Sequence, residues 1–367
     1  KVQLVVTLLI LAFGLAMIYS STINATTAAE GRDAFRLQFV FLLFGTLTYF
    51  FFAVFNYRYW QSWAWPIFTL TLGFLVLVLF VGDDATGTRR WLSLGVVNLQ
   101  PSEFAKLGML IVVAAALSAR TRYAASWHYM LILGLILVPP TLLVTIQPDL
   151  GTAVMFAGLW FGMILAVGVK WRYILGTLGL IGLSLPLVWG MLRPYQQQRV
   201  LVFLDPTSDP RGAGYNVIQA MIANGAGGVL GVGLGRGTQS QYKFLPVRHT
   251  DFIFSVIAEE LGLIGTGVLI VLFFVLLWRI LGAVVKASDN FGRYLCIGVF
   301  VLIALQMFIN IGMNMGIMPV TGIPLPLVSY GGSSLIVTMA MLGLVQSVII
   351  HSEKRISEKD KLISRVG

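Results

Sequence analysis

Ten largely apolar runs follow one another along the chain, at 3–20, 37–55, 64–82, 104–118, 129–146, 150–169, 173–191, 252–278, 293–316 and 330–350. A helix of about 20 apolar residues spans the hydrocarbon core of a bilayer. The pattern therefore predicts an all-α polytopic membrane protein with about ten transmembrane helices. The runs 129–146 and 150–169 are nearly continuous. Pro139-Pro140 and Gln147-Pro148-Asp149 predict a break and a tight hairpin there.

Three stretches interrupt this rhythm. In 83–103, alternation around Trp91-Leu92-Ser93-Leu94 predicts a short extended or interfacial piece. The polar stretch 192–251 contains YNVIQAMIANGAGGVLGVGLGRG, which has apolar residues at helical spacing followed by many glycines. It predicts an amphipathic or re-entrant helix lying on the membrane, then a flexible turn region. In 317–327, three prolines and Gly322 cannot continue a helix. Non-helical backbone at membrane depth is tolerated where it lines a protein cavity, so this segment is expected at a cavity rim.

Composition agrees with the pattern. The 367 residues are 57% hydrophobic and only 11% charged, with a mean hydropathy of +0.87. The division expected is one transmembrane domain over 1–367, with 192–251 a large extracytoplasmic loop and 351–367 a cytoplasmic tail. Lys1 suggests a short preceding piece, and the first run, ending in Tyr19-Ser20-Ser21, reads as a retained span. The lone Cys296 lies inside a span and permits no disulfide within the chain.

Basic residues set the orientation. With both termini cytoplasmic, the inner loops hold Arg58, Arg120, Arg122, Lys170, Arg172, Arg279, Lys286 and Arg293, and the tail adds five more. The short outer loops hold Arg32, Arg36, Arg89 and Arg90. The net charge of +10 is thus spread over two membrane faces, which argues against a nucleic-acid partner.

The chemistry points to Arg248-His249-Thr250-Asp251, where the long loop enters an apolar helix. An ionisable group at the mouth of a span is a functional candidate, because charge is costly near hydrocarbon. Asp251 is either the cap of the following helix or a general base beside a cavity. Glu103 and Lys106 share a helix face at i,i+3 and form either a self-satisfied ion pair or a pair aimed into the cavity. Asp149 suits the N-cap of the next span. Glu259 and Glu260 are expected to pair structurally. Arg193, Arg199, Arg211, Arg236 and Arg248 sit in the long loop, and their forks suit phosphate oxygens. His128, His249 and His351 are too scattered for a metal site.

Several motifs resemble the SEDS family (shape, elongation, division and sporulation). They are Pro101-Ser102-Glu103 with Lys106, Gln147 to Thr152, His249-Thr250-Asp251-Phe252, and the run from Asn310-Ile311-Gly312 through Met318 to Ser334. The resemblance covers essentially the whole chain, and the stretch from Gly237 to Asp251 is similar to the elongation branch. It implies a peptidoglycan glycosyltransferase. Such an enzyme polymerises lipid II into β-1,4 glycan at the outer face of the bacterial cytoplasmic membrane, alongside a class B penicillin-binding protein and other elongation-complex membrane proteins. It also implies that Asp251 is catalytic. The substrate contacts expected are Glu103, Lys106, Arg90, Asp149, Arg199, Arg248, His249, Thr250 and Ser329. Metal ligands are not assignable. The cofactor compatible with this chemistry is a divalent cation such as Mg2+ at the pyrophosphate.

One carboxylate suits synthesis. An inverting transfer from a lipid pyrophosphate needs a base for the acceptor hydroxyl and positive charge for the leaving group. Glycoside hydrolysis usually needs two carboxylates. A lipid-linked oligosaccharide flippase and a non-catalytic scaffold are the rival classes.

Overall fold

The computed structural model describes residues 2–22, 28–82, 89–93, 98–119, 127–210, 212–242, 244–245 and 249–366, except for the side chains of 28–33, 185, 188, 191, 213 and 354–366. Arg32, Arg120, Arg122 and the basic side chains of the tail thus lie outside the described residues.

Among the described residues, nine helices are long and apolar enough to cross a membrane. They are α1 (Val2–Thr22), α2 (Ala28–Val54), α4 (Ala64–Val81), α5 (Pro101–Ser118), α6 (Trp127–Ile146), α7 (Leu150–Val167), α12 (Ile253–Lys286), α13 (Asn290–Asn314) and α14 (Gly332–Val366). In α2 and α14 the apolar spans are Ala34–Val54 and Gly332–Glu353. The expected seventh span, 173–191, forms α8 (Trp171–Met191), a helix of 21 residues that is not among these nine. The short α3 (Arg58–Ser62) links α2 to α4.

The hairpin predicted before α7 is present, but it turns only at 147–149. Helix α6 runs through Pro139 and Pro140 without breaking. Prolines are tolerated in membrane helices where neighbours and local side chains take up the freed backbone groups. The Thr141 hydroxyl, for example, donates to the Leu137 carbonyl at 2.7 Å. The extended piece predicted near Trp91 is a minimal antiparallel hairpin, β1 (Leu92–Ser93) against β2 (Asn98–Leu99), with Leu92 opposite Leu99. Leu94 lies outside the described residues.

The core lies between α5, α7, α12, α13 and α14. Lys106, Met109, Phe156, Phe273, Leu302 and Val345 are fully buried there. Apolar side chains on the outer surface of the bundle, such as Leu47, Phe80, Leu135 and Phe274, are exposed, as expected of faces that meet lipid.

Polar bonds close the bundle at both ends. At one end, Tyr57 and Arg58 bind Asp289 at 2.6 and 2.8 Å. Ser352 and Ser347 of α14 bind Ser288 N and Tyr57 N, each at 3.1 Å. The inner-loop basic residues Arg58 and Lys286 both pair at this end, Lys286 with Glu353 at 2.8 Å. The other end carries Asp251.

The long loop is more helical than its sequence suggests. It folds into α9 (Pro194–Leu204), α10 (Ala213–Ala226) and α11 (Thr238–Gln241). Pro194 stands in the first turn of α9, and Gln196 Oε1 accepts from Arg193 N at 2.9 Å. Helix α10 is the predicted amphipathic segment.

The loop then breaks a span. Gly262, inside α12, takes φ 64° and ψ −161°. Its neighbours turn their backbone groups outward. Val232 N and Gly233 N donate to Glu259 O and Glu260 O, each at 3.0 Å, and Leu263 N donates to Gly228 O at 3.0 Å. Gly231, at φ 78°, lies against Gly262, and a Cβ at either would collide with the other strand's backbone. The backbone bonds lost at the break are therefore replaced by the loop.

Candidate functional site

The site is built on the junction between the long loop and α12. Helix α12 begins at Ile253, and its N-cap is Phe252, with no side-chain cap bond. Asp251 is therefore not the helix cap. The cap comes from another helix: Asn314 Oδ1, at the end of α13, accepts from Ser255 N at 3.1 Å and Ser255 Oγ at 2.7 Å.

The same two turns of α13 hold the Asp251 backbone. Asn310 Nδ2 and Asn314 Nδ2 both donate to the Asp251 carbonyl at 3.0 Å. Asn310 Nδ2 also reaches Ile323 O at 2.8 Å, joining this clamp to the proline segment. Ser329 Oγ donates to Thr250 O at 2.6 Å and accepts from Leu325 N at 2.8 Å. Tyr330 N donates to His249 O at 2.9 Å, and the two rings meet edge to face at 5.5 Å. Residues 249–251 are thus fixed through their carbonyls, which leaves the choice of side chain to chemistry.

The segment 315–331 passes the Asp251 side chain at Gly322. Gly322, at φ 75°, faces it, and a Cβ there would stand 3.6 Å from Oδ2. Leu327 takes the left-handed conformation at φ 65°. A non-glycine residue pays about 1–2 kcal/mol for that, and the Ser329–Leu325 bond helps hold it.

The carboxylate itself is half-buried. Burial holds Asp251 above the ordinary carboxylate range, while the charges of Arg90 and Arg199 and a Thr250 hydrogen bond pull it back. Arg90 belongs to the 83–103 segment, and its Nε is buried with no partner. Arg199 rises from α9 with its guanidinium 6.0 Å from the Tyr195 ring centroid. Two arginines, distant in sequence, therefore converge electrostatically on one carboxylate.

This yields a testable sign. If Asp251 serves as a base, it works deprotonated, and activity falls as pH drops through its pKa. Removing a nearby positive charge raises that pKa further. The acid limb of the rate profile is expected to move to higher pH in Arg90→Gln and again in Arg199→Gln. Profiles superimposable on wild type would detach both arginines from Asp251.

The other expected site residues divide. Lys106 Nζ lies 2.8 Å from both Glu103 oxygens, and both side chains are buried. Asp149 caps α7 through Thr152 N at 3.1 Å. It also accepts from Thr152 Oγ1, Ser102 Oγ and Gln100 Nε2 at 2.9, 2.7 and 3.2 Å. Its oxygens tie α5 to α7. The Ser329 hydroxyl is likewise engaged within the protein. Arg248 and Arg211 lie outside the described residues.

Glu259 and Glu260 anchor the loop, as their burial demands. Glu259 accepts from Gln239 N at 2.8 Å and Ser240 N at 3.0 Å, at the start of α11. Glu260 accepts from Ser20 Oγ of α1 and from Gln241 Nε2. Sequence reasoning missed Asn314 and quoted Asn310 without a role. Their signal was two amides four residues apart in an apolar span, where unpaired amides are costly.

Among the described residues, no group of three or more His, Cys, Asp or Glu side chains is placed to hold a metal ion.

A family model described as cell cycle protein, covering FtsW, RodA and SpoVE, matches residues 1–354. The chain belongs to this family. It is 44% identical over 295 residues to the peptidoglycan glycosyltransferase MrdB of Escherichia coli K12, covering 80% of each chain. Stage V sporulation protein E of Bacillus subtilis is 37% identical over 353 residues, covering 95% of this chain and 96% of that protein. Among solved structures, it resembles a chain from a peptidoglycan synthase complex studied for the coordination of polymerization and crosslinking. That match has a TM-score of 0.78 at 36% identity, over 93% of this chain and 97% of the other. The crystal structure of the rod shape determining protein RodA from Thermus thermophilus superposes with a TM-score of 0.70 at 32% identity, over 95% of each chain. The family's fold is thus this chain's fold, a multi-pass membrane bundle.

Proposed function

We propose that this chain is a peptidoglycan glycosyltransferase that polymerises lipid II into β-1,4 glycan strands during cell elongation, with Asp251 as general base. The observation that carries this reading is the carbonyl clamp from α13. It fixes a half-buried carboxylate at the mouth of a span, between the charges of Arg90 and Arg199. The glycosyltransferase names of relatives such as MrdB supply the reaction class.

The chemistry follows from that placement. The Asp251 carboxylate takes the proton of the acceptor 4-hydroxyl. The freed oxygen attacks C1 of the donor sugar from the face opposite its α-phosphate. The C1–oxygen bond to phosphate breaks, the lipid pyrophosphate leaves with the electron pair, and the new linkage is β. The leaving group is a stable anion and needs no general acid. Arg90 Nε, buried without a partner, is suited to donate to a pyrophosphate oxygen, and Arg199 adds a second positive charge. A divalent cation such as Mg2+ would add positive charge to the pyrophosphate. No step is assigned to it.

The active site faces the outer side of the cytoplasmic membrane, and both termini lie inside. Lys286 and Arg58, at the end of the bundle opposite Asp251, support this orientation. A class B penicillin-binding protein is the proposed partner. It would dock a single span at the Asp251-end portions of α12 and α13, where the Gly262 break and Met315 leave an apolar groove of about 330 Å³.

The test gives purified chain labelled lipid II in vesicles. Polymer without any other transferase is expected, increasing on addition of the class B protein. Translocation without polymer would make the chain a flippase, and neither activity would leave it a scaffold.

A further inference from the structure

A second cavity lies close along the chain to Gly322, which faces the carboxylate, and neither the ion pairs nor the clamp accounts for it. It measures about 170 Å³ and is enclosed by α9, α10 and residues 316–320. Its walls include Val202, Phe203, Met318 and Pro319, with Arg199 and Asn216 as its polar members. Asn216 Oδ1 is buried and has no hydrogen-bond partner. A buried acceptor left unpaired is costly unless a ligand pairs it.

The cavity is too small for a disaccharide. Pockets that take up a whole small molecule measure roughly 300–1,000 Å³. This one fits a side arm with an N–H donor, an oxygen acceptor and a small apolar end. An acetamido group has all three: its N–H meets Asn216 Oδ1, its carbonyl oxygen meets the Arg199 guanidinium, and its methyl packs on Val202, Phe203 and Met318.

Chain geometry ties the cavity to the chemistry. Pro319 and Val320 line it, and two residues further on Gly322 faces Asp251 Oδ2. In an N-acetylglucosamine, the equatorial 4-hydroxyl and 2-acetamido group flank C3 and diverge from the same side of the ring. A sugar with its hydroxyl at Asp251 can therefore reach into the cavity with its acetamido arm.

We infer that Asn216 and its cavity form the acetamido subsite for the acceptor sugar and select N-acetylated acceptors. This inference rests on the glycosyltransferase reading above. Arg199 then faces the acetamido oxygen in the cavity as well as the Asp251 and pyrophosphate charges outside it.

The test measures kcat/KM for wild type, Asn216→Leu and Asn216→Asp on two substrates. One is lipid II. The other is a lipid II analogue with a hydroxyl replacing the acetamido group of its N-acetylglucosamine. Losing one hydrogen bond and leaving its partner unpaired corresponds to about a 10–100-fold drop. Wild type is expected to fall by that factor on the analogue, and Asn216→Leu by that factor on lipid II. Asn216→Leu should lose nothing further on the analogue, and Asn216→Asp, which keeps an acceptor, should recover much of the activity on lipid II. Equal losses for Asn216→Leu on both substrates, or no loss on lipid II, would overturn the subsite. If the leucine variant does not fold, wild type alone decides, and equal use of both substrates sinks the proposal. Wild type that makes no polymer from lipid II removes the glycosyltransferase reading and this inference together. Polymer that depends on Asp251 but not on Asn216 removes only the subsite.

Discussion

Asp251→Asn will fold like wild type, bind lipid II and polymerise it about 10²–10⁴-fold more slowly, the usual contribution of a general base. The structure makes this substitution unusually clean. The clamp from Asn310 and Asn314 holds the Asp251 carbonyl, which asparagine keeps. Helix α12 draws its cap from Asn314 and begins beyond Asp251, so no capping bond is lost. Asparagine has nearly the same size as aspartate but cannot take a proton at neutral pH. Stability in detergent should therefore be unchanged while turnover collapses. A stably folded Asp251→Asn that polymerises within about threefold of wild type, a factor far below any general-base contribution, would remove Asp251 as the base.

Much of the bundle was legible because hydropathy is a local signal. A run such as 293–316 declares a span without reference to its partners, and α13 indeed spans Asn290–Asn314. The hairpin at Asp149 was legible for the same reason, because a proline and a capping carboxylate act within one turn. Pro139-Pro140 misled, because the cost of a helical proline depends on what surrounds the freed carbonyls. The Gly262 break was illegible. A glycine in an apolar run is common, and this one breaks its helix only because residues 228–233 arrive to pair with the exposed backbone. Asp251 could be singled out by its place at a span mouth. Arg90 and Arg199 both stand among the expected substrate contacts, but their convergence on Asp251 was not legible: Arg90 is 161 positions away by count, and Arg199 lies within the long loop. Electrostatic convergence is a property of the fold, whereas a charge at a membrane boundary is visible in the chain.

Charge reversal at both Glu103 and Lys106 is expected to restore part of the folding lost in either single reversal, without restoring full activity. The pair lies in the first turns of α5, both side chains are buried, and Lys106 Nζ is 2.8 Å from each carboxylate oxygen. Reversing one charge leaves two like charges in a low-dielectric site. Breaking a buried pair costs about 3–5 kcal/mol, so each single variant should be strongly destabilised. The double reversal, Glu103→Lys with Lys106→Glu, recreates the attraction at the same i,i+3 spacing. Its recovery should be incomplete, because lysine then stands nearer the positive end of the helix dipole and glutamate farther from it. Turnover is a separate question. Glu103 follows Ser102, whose hydroxyl is bound by Asp149, so the pair sits where α5 and α7 are tied together at the Asp251 end. If the pair merely satisfies itself, activity in the double variant should return in proportion to the folded fraction. If it also orients substrate, activity should lag behind folding. Thermal unfolding in detergent and lipid II polymerisation, measured on the same preparations, separate these outcomes. Full activity in Glu103→Ala and in Lys106→Ala would exclude any contact between this pair and the substrate.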